Sequence, residues 1–253
     1  MKYENYDKLS VLTYNIHQGR YGEKELAKYI ASLDADIICL QESNSTQHWA
    51  APIPMLSMVT PDYENARYGE LDIFSKYPML TKRALHLSNI TGTQCLVVQV
   101  DFNGKLLTII NVHFSSPNRR PEGVNFNKDN PTMNARAEEL MTLTRLINSY
   151  PDPIIVAGDF NTPPRGHIYN ALNYDLNDSH KLAGWGTGYT FPSIVPLLRI
   201  DYIFARSGVS FINSKVLSSK NSDHRPVFAI LGIDSNIKTP SLPNRDEHLI
   251  FTE

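Results

Sequence analysis

Ile154-Ile155-Val156-Ala157-Gly158-Asp159-Phe160-Asn161 is the stretch on which the fold turns. Its first four residues form a short continuous apolar run, the pattern of a strand covered on both faces, and the run breaks where Gly158, Asp159 and Asn161 bring in polar groups. Strand ends of this kind are where α/β proteins build reaction sites. A second step, Ser222-Asp223-His224, stands shortly before another apolar run. Each places a carboxylate beside a second polar group where a buried strand meets the sheet edge, and an enzyme is the expected consequence.

Working outward, Pro131 to Ser149 reads as a helix leading through Pro151 and Pro153 into the Ile154 strand. Asn130 serves as its N-cap and Pro131 occupies its first position, where a missing N–H costs nothing. Ala137, Leu140, Thr144 and Ile147 are expected to share a face. Toward the N-terminus, Leu9 to Ile16 and Asp36 to Gln41 read as strands around a helix, Lys24 to Leu33, in which Leu26, Ile30 and Leu33 recur at helical spacing. Gln94 to Phe102 and Lys105 to Phe114 flank Asn103-Gly104, two residues tolerant of positive φ, which predicts a hairpin with a type I′ turn. Ile200 to Ala205 and Pro226 to Leu231 read as a last hairpin-like pair. The pattern has no internal repeat and predicts mixed strands with covering helices.

With 253 residues and 42% hydrophobic content, the chain can bury a large core and fits one sizeable domain, residues 1–233. Residues 234–253 read as a polar, proline-containing tail, peripheral or docked through His248-Leu249-Ile250-Phe251. The net charge of -2 and pI near 6.4 supply no global basic field. Any nucleic-acid contact must then use a local patch or bound metal. Cys39 and Cys95 sit inside apolar runs and are expected as buried free thiols rather than a disulfide. The opening MKYENYDKLS has no apolar h-region, and no stretch approaches the roughly 18 apolar residues of a membrane span. A soluble, cytoplasmic monomer with no integral membrane segment is expected; a chain trimmed of a leader or anchor would read the same way.

Polar groups repeatedly terminate the apolar strands: Asn15 and His17, Glu42, His113, Asp159 and Asn161, Asp201, and Asp223-His224. If the strands share a sheet end, these groups converge. Glu42, Asp159, Asp201 and Asp223 would then repel, each ionised pair at about 4 Å costing roughly 4 kcal/mol at an effective dielectric of ~20. A divalent cation relieves this. The ligands on offer are carboxylate and carboxamide oxygens, with no cysteine cluster and no HExxH helix, which favours Mg²⁺ or Mn²⁺ over structural zinc.

At this point LTYNIHQG (12–19), ICLQES (38–43), INVHFSS (110–116), AGDFNTP (157–163), RIDYIFA (199–205) and SDHRPVF (222–228) make the chain resemble the endonuclease/exonuclease/phosphatase superfamily of metal-dependent phosphoesterases. The resemblance implies a DNase-I-like α/β fold, a four-layer α/β/β/α sandwich of two mixed β-sheets with a cleft at one edge. It implies metal-site roles for Asn15, Glu42 as principal ligand, and Asp223. It further implies that Asp159 and Asn161 orient water and the phosphoryl group, that His113 contacts phosphate, and that Asp201 orients His224. Either His224 or Asp159 takes the general-base role.

Other residues admit two readings. His17 faces the same side of its strand as Asn15 and is a candidate substrate contact. Arg119, with Arg120, either meets substrate phosphate or is a solvated loop residue, and Arg136 reads as an exposed helical arginine or a site group. Asp201 is alternatively an ion-pair partner of Arg199, and Asp178-Ser179-His180 reads as a helix or turn cap. Trp185 and Tyr189, with Phe191 in a glycine-rich loop, either stack on a base or aglycone or anchor the core. The expected activity is a divalent-metal-dependent phosphodiesterase or nuclease acting on DNA or RNA. Alternatives are a lipid- or sugar-phosphate phosphatase or a sphingomyelinase-like phosphodiesterase, for which the apolar Ser193 to Leu198 loop would touch a membrane surface, and a non-catalytic binding relative. No basic insertion for gripping a duplex is evident, which favours a small or single-stranded substrate.

Overall fold

The computed structural model describes residues 5–44, 56, 60–117, 131–151, 153–206, 208–237, 240–244 and 249–252. The apolar runs become the central strands of two sheets. One sheet has six strands in the order β11-β12-β1-β2-β4-β3. These are β1 Tyr6–Asn15, β2 Ile37–Gln41, β3 Glu64–Tyr68, β4 Leu71–Ser75, β11 Val209–Val216 and β12 Val227–Asp234. The other has seven, β13-β5-β6-β7-β8-β10-β9: β5 Met79–His86, β6 Gln94–Phe102, β7 Lys105–His113, β8 Ile154–Asp159, β9 Asn177–Asp178, β10 Asp201–Ala205 and β13 Leu249–Thr252. The helices that accompany them are α1 Glu23–Ser32, α2 Pro131–Ser149, α3 His167–Asp175 and α4 Ser179–Ala183, and His17–Gly19 adds a 3-10 turn.

Side-chain alternation divides the core into three layers. Leu9, Val11, Ile37 and Ile73 of one sheet meet Val98, Ile109, Ile155 and Ile203 of the other. On the outer face of the seven-stranded sheet, Ile110, Val156 and Phe204 pack with Leu143 and Ile147 of α2 and Ile168 and Leu172 of α3. On the outer face of the six-stranded sheet, Leu12, Tyr14, Ile38 and Leu40 pack with Leu26 and Ile30 of α1. The central strands are therefore buried on both faces, which is why they read as continuous apolar runs. Each fully buried aliphatic side chain contributes about 1.5–3 kcal/mol. The architecture is the four-layer α/β/β/α sandwich.

The Asn103-Gly104 turn has φ of 54° and 81°, the positive pair that a type I′ hairpin requires. Cys39 and Cys95 are buried and free. Leu249–Thr252 adds an edge strand parallel to β5, so this part of the tail is sheet. No helix among the described residues is long and apolar enough to cross a membrane.

Two expectations are corrected. Ile200–Ala205 and Pro226–Leu231 do not form a pair: β10 lies antiparallel to β8 in one sheet, and β12 lies antiparallel to β1 and β11 in the other. The chain crosses between sheets there, and β11, masked in the sequence by Ser210, Asn213, Ser214 and Lys215, supplies the actual hairpin partner. The inner face of α2 is also different. Ala135, Glu139, Leu143 and Ile147 are buried, whereas Ala137 is exposed. A glutamate in that stripe disguises it, because its burial depends on partners supplied from distant loops. The expected cap Asn130 lies outside the described residues.

Candidate active site

Strand direction and register gather the polar strand ends at one edge of the sandwich. β7 and β8 are parallel with His113 opposite Asp159, and antiparallel β10 places Asp201 opposite Asp159 on the other side. The row His113, Asp159, Asp201 is thus set by backbone pairing alone. In the facing sheet, parallel β1 and β2 end at Asn15 and Gln41, so Glu42 emerges next. Antiparallel β12 begins at Val227 opposite Thr13, which delivers Asp223-His224 to the same edge.

Close backbone packing explains the glycine of the first motif. Gly158 has φ of 152°, and a Cβ built there would stand 2.0 Å from the carbonyl oxygen of Val112. Three site residues hold left-handed backbone despite having side chains: His17 (46°), Glu42 (50°) and Asn161 (47°). Such conformations cost on the order of 1–3 kcal/mol each and concentrate where geometry serves a site.

The hydrogen bonds form one connected set. Asn15 Nδ2 donates to Glu42 Oε1 at 3.1 Å and Asp159 Oδ2 at 3.2 Å, tying the two sheets together. Its Oδ1 accepts from the His17 backbone N–H. His17 Nδ1 lies 3.0 Å from Asp223 Oδ1 and 4.0 Å from Glu42 Oε2. The Asn161 N–H donates to Asp159 Oδ1 at 2.8 Å, and its Nδ2 donates to the Phe114 carbonyl at 2.9 Å. Ser222 Oγ donates to the Asn15 carbonyl at 2.8 Å and accepts from the His224 N–H, fixing the last loop on β1. Beneath the edge, Gln41 Nε2 donates to Asn111 Oδ1, and Asn111 Nδ2 donates to the carbonyls of Leu40 and Asp72, cross-linking the sheets inside the core.

The two histidines beside Asp159, His113 from β7 and His224 from the segment before β12, are each backed by a carboxylate. His224 Nδ1 lies 3.0 Å from Asp201 Oδ2 and its Nε2 lies 3.8 Å from Asp159 Oδ2. His113 Nδ1 lies 2.6 Å from Glu70 Oε1 and its Nε2 lies 3.7 Å from Asp159 Oδ2. Both Nε2 atoms therefore approach the same oxygen of Asp159. Burial pushes His224 toward neutrality, but Asp201 and then Asp159 outweigh it and lift its pKa to about 9. For His113, burial is likewise overcome, by Glu70 first, and the pKa rises to about 10. Burial and the Asp201 charge raise the Asp159 carboxyl above the usual carboxylate range, against the pull of the two histidines and the Asn161 N–H.

A cleft of about 430 Å³ opens over this row, lined among others by His17, Glu42, Glu70, His113, Asp159, Asn161, Phe191, Asp223 and His224. Asn15 and Asp201 are buried behind the lining. Asp159, Asp201 and His224 form a buried group with one potential ligand atom apiece, all within 4.8 Å, that could hold a metal ion. Their existing His224–Asp201 bonds also account for that closeness.

The structure thus brings together Asn15, His17, Glu42, His113, Asp159, Asn161, Asp201, Asp223 and His224. Trp185 and Tyr189 do not line the cleft; Trp185 is 97% exposed, while Phe191 from the same loop packs against the His224 ring at 4.8 Å. Arg119 and Arg120 lie outside the described residues. Arg199 pairs with Asp178 at 2.7 Å rather than with Asp201, and Asp178 caps α4 through the N–H groups of His180 and Lys181. Arg136 is not an exposed helical residue: it donates to the carbonyls of Ser115, Phe160 and Asn161. Glu70 was not foreseen at all. It follows Gly69 in the turn between β3 and β4, where an acidic residue looks like ordinary turn chemistry; Ser43 N and Oγ bind its carbonyl and hold it at the cleft.

Known proteins match the sequence and the fold. A model of the Endonuclease/Exonuclease/phosphatase family matches residues 12–224. A UPF0294 protein of Yersinia pseudotuberculosis is 25% identical, over 87% of this chain and 82% of its own length. A solved endonuclease/exonuclease/phosphatase family protein from Bacteroides thetaiotaomicron superposes with a TM-score of 0.72 at 19% identity, covering 90% of this chain and 99% of that one. A mannosyl-6-phosphatase from the same species superposes at 0.70 with 20% identity, over 88% of this chain and 99% of that one. By its sequence match and its sandwich fold, the chain belongs to the Endonuclease/Exonuclease/phosphatase family of phosphoester hydrolases.

Proposed function

We propose that the cleft hydrolyses phosphodiesters, nucleic-acid diesters first among them, with Mg²⁺ or Mn²⁺ held at Glu42 and Asp223. The observation that carries this reading is the row His113, Asp159, Asp201 with His224 on Asp201, set opposite Glu42 across one cleft. The donor set fits a hard cation: Glu42 and Asp223 each bring a carboxylate oxygen to within 4.0 Å of His17 Nδ1. Asn15 presents its amide NH₂ to Glu42 and its oxygen to the His17 N–H, so it orients the Glu42 carboxylate, and ligation through Oδ1 requires the amide to turn over. When bound, the ion neutralises phosphoryl charge and favours ionisation of water.

The chain's own residues supply the rest. His113 and His224, each with Nδ1 held by a carboxylate, direct Nε2 toward the cleft, where imidazolium charge stabilises the nonbridging oxygens. Asp159, an acceptor fixed by Asn15 and Asn161, takes the proton of the attacking water. Asn161 positions the phosphoryl group. Hydrolysis of bis(p-nitrophenyl) phosphate, single-stranded oligonucleotide, plasmid and sugar phosphate in Mg²⁺ or Mn²⁺ tests this. Activity that is lost in EDTA and falls at least about 100-fold in Glu42→Ala and His224→Ala is expected. Activity intact in EDTA refutes the metal-dependent reading, and calorimetry showing no Mg²⁺ or Mn²⁺ binding favours a non-catalytic relative.

A second substrate reading rests on Ile194, Val195, Leu197 and Leu198, exposed by 87, 62, 65 and 43%. Their loop is bonded to the site through Ser193 Oγ, which donates to the Ser222 carbonyl. Liposome binding that disappears when these four residues are made polar supports a lipid phosphoester. Nucleic-acid cleavage with no liposome affinity supports the first reading.

A further inference from the structure

We propose that Arg136 and Glu139, on α2 outside the cleft, are a positioning pair that sets Asn161 and the β7 exit for phosphoester hydrolysis; the catalytic part of this rests on the function proposed above. Neither side chain lines the cleft. Between them they hold both backbone polar groups of Ser115, two residues beyond His113. Arg136 takes its carbonyl, and Glu139 Oε1 and Oε2 take its N–H at 3.2 and 3.3 Å.

Arg136 then reaches the neighbouring strand exit. Its Nη2 donates to the carbonyls of Phe160 at 3.3 Å and Asn161 at 3.1 Å. Asn161 holds φ of 47°, with its N–H committed to Asp159 and its Nδ2 to Phe114. The carbonyl is its remaining backbone handle, and Arg136 holds it. One guanidinium, with a planar fork of donors that a lysine lacks, therefore couples the exits of β7 and β8. These are the exits that carry His113 and Asn161.

Glu139 completes the device. It is fully buried and accepts from Thr93 Oγ1 at 2.8 Å and Thr91 Oγ1 at 3.2 Å as well as from Ser115. Packing α2 on the sheet requires no charge at this position; Leu143, one turn on, serves that need with carbon alone. A buried carboxylate and a half-buried guanidinium are costly ways to dock a helix. Their partners are cleft-exit backbone and the cleft-lining Thr93, which identifies alignment as their use.

The test compares Arg136→Met, Arg136→Lys and Glu139→Gln with Leu143→Ala, a core truncation in the same helix, at a temperature where every variant is folded. With bis(p-nitrophenyl) phosphate and saturating Mn²⁺, Arg136→Met is expected to lower kcat about 10- to 100-fold, since misplacement by about 1 Å costs that much. KM and Mn²⁺ affinity should stay within about twofold, Arg136→Lys should recover part of kcat, and Leu143→Ala should keep it. In metal-free protein, the Asn161 backbone and carboxamide NMR signals should move in Arg136→Met and not in Leu143→Ala. Unmoved Asn161 signals overturn the positioning pair whatever the activity, as does a kcat loss equal in Arg136→Met and Leu143→Ala. If wild-type protein cleaves no phosphoester while the Asn161 signals still move, positioning stands and the proposed function fails.

Discussion

Replacing Asp201 with asparagine keeps the shape of the His224 partner and removes its charge. In the intact protein, burial disfavours the imidazolium, and Asp201 followed by Asp159 reverses that, carrying the pKa from 6.5 to about 9. At about 1.4 kcal/mol per tenfold change in proton affinity, that rise corresponds to roughly 3 kcal/mol. Asp159 and Asp223 share in it, which leaves about 2 kcal/mol to Asp201 as an order of magnitude. Because the folded pKa is raised above the unfolded one, this stabilisation is fully present below pH 6.5 and is lost as pH rises through about 9. Urea unfolding of metal-chelated protein should therefore show Asp201→Asn destabilised by about 2 kcal/mol at pH 6. The penalty should vanish or reverse at pH 10, where wild type retains two buried carboxylates side by side. The His224 NMR titration midpoint should fall to roughly 7.5, the equivalent of about 2 kcal/mol at about 1.4 kcal/mol per tenfold change, and activity at pH 7.5 should drop about twofold as the imidazolium is depleted. A penalty equal at both pH values, or a His224 midpoint that stays near 9, refutes the reasoning.

Asp178→Ala removes the buried partner of Arg199, an acceptor for Tyr169 Oη and the cap of α4 together, and should cost about 3–5 kcal/mol in urea unfolding; Asp178→Asn, which keeps the cap, should cost less. Gly158→Ala drives a methyl into the Val112 carbonyl and should both destabilise the fold and lower activity by shifting Asp159. Burial pushes the Cys39 and Cys95 thiols upward in pKa, so Ellman's reagent should label neither in native protein and both after unfolding, with the labelling rate following the unfolding transition.

The elements that were legible in the sequence are those in which local chemistry and tertiary environment agree. The Asn103-Gly104 turn needs positive φ and carries residues suited to it; β2 and β8 are buried on both faces and read as apolar runs up to their polar last residues, Gln41 and Asp159. The capping role of Asp178 was legible for the same reason, since a cap is satisfied within three residues. Where a residue's role depends on a distant partner, the local pattern misled. Glu139 looks like the solvent face of a helix because Thr91, Thr93 and Ser115, which satisfy it, lie more than twenty residues away. β11 looks like a loop because its strand character comes from pairing with β12.

By itself, the sequence determined the apolar strands, the groups that end them, and through six ordered motifs the family and the polar strand-end residues that meet at the cleft, Glu70 excepted. Only the tertiary structure decided how those groups act on one another. Register set His113 and Asp201 on either side of Asp159, the β3–β4 turn brought Glu70 behind His113, and α2 turned Arg136 inward. The physical reason is that hydrophobic periodicity is written along the chain, whereas charge pairing and alignment arise across it, between residues that only the packing of two sheets brings within hydrogen-bond reach.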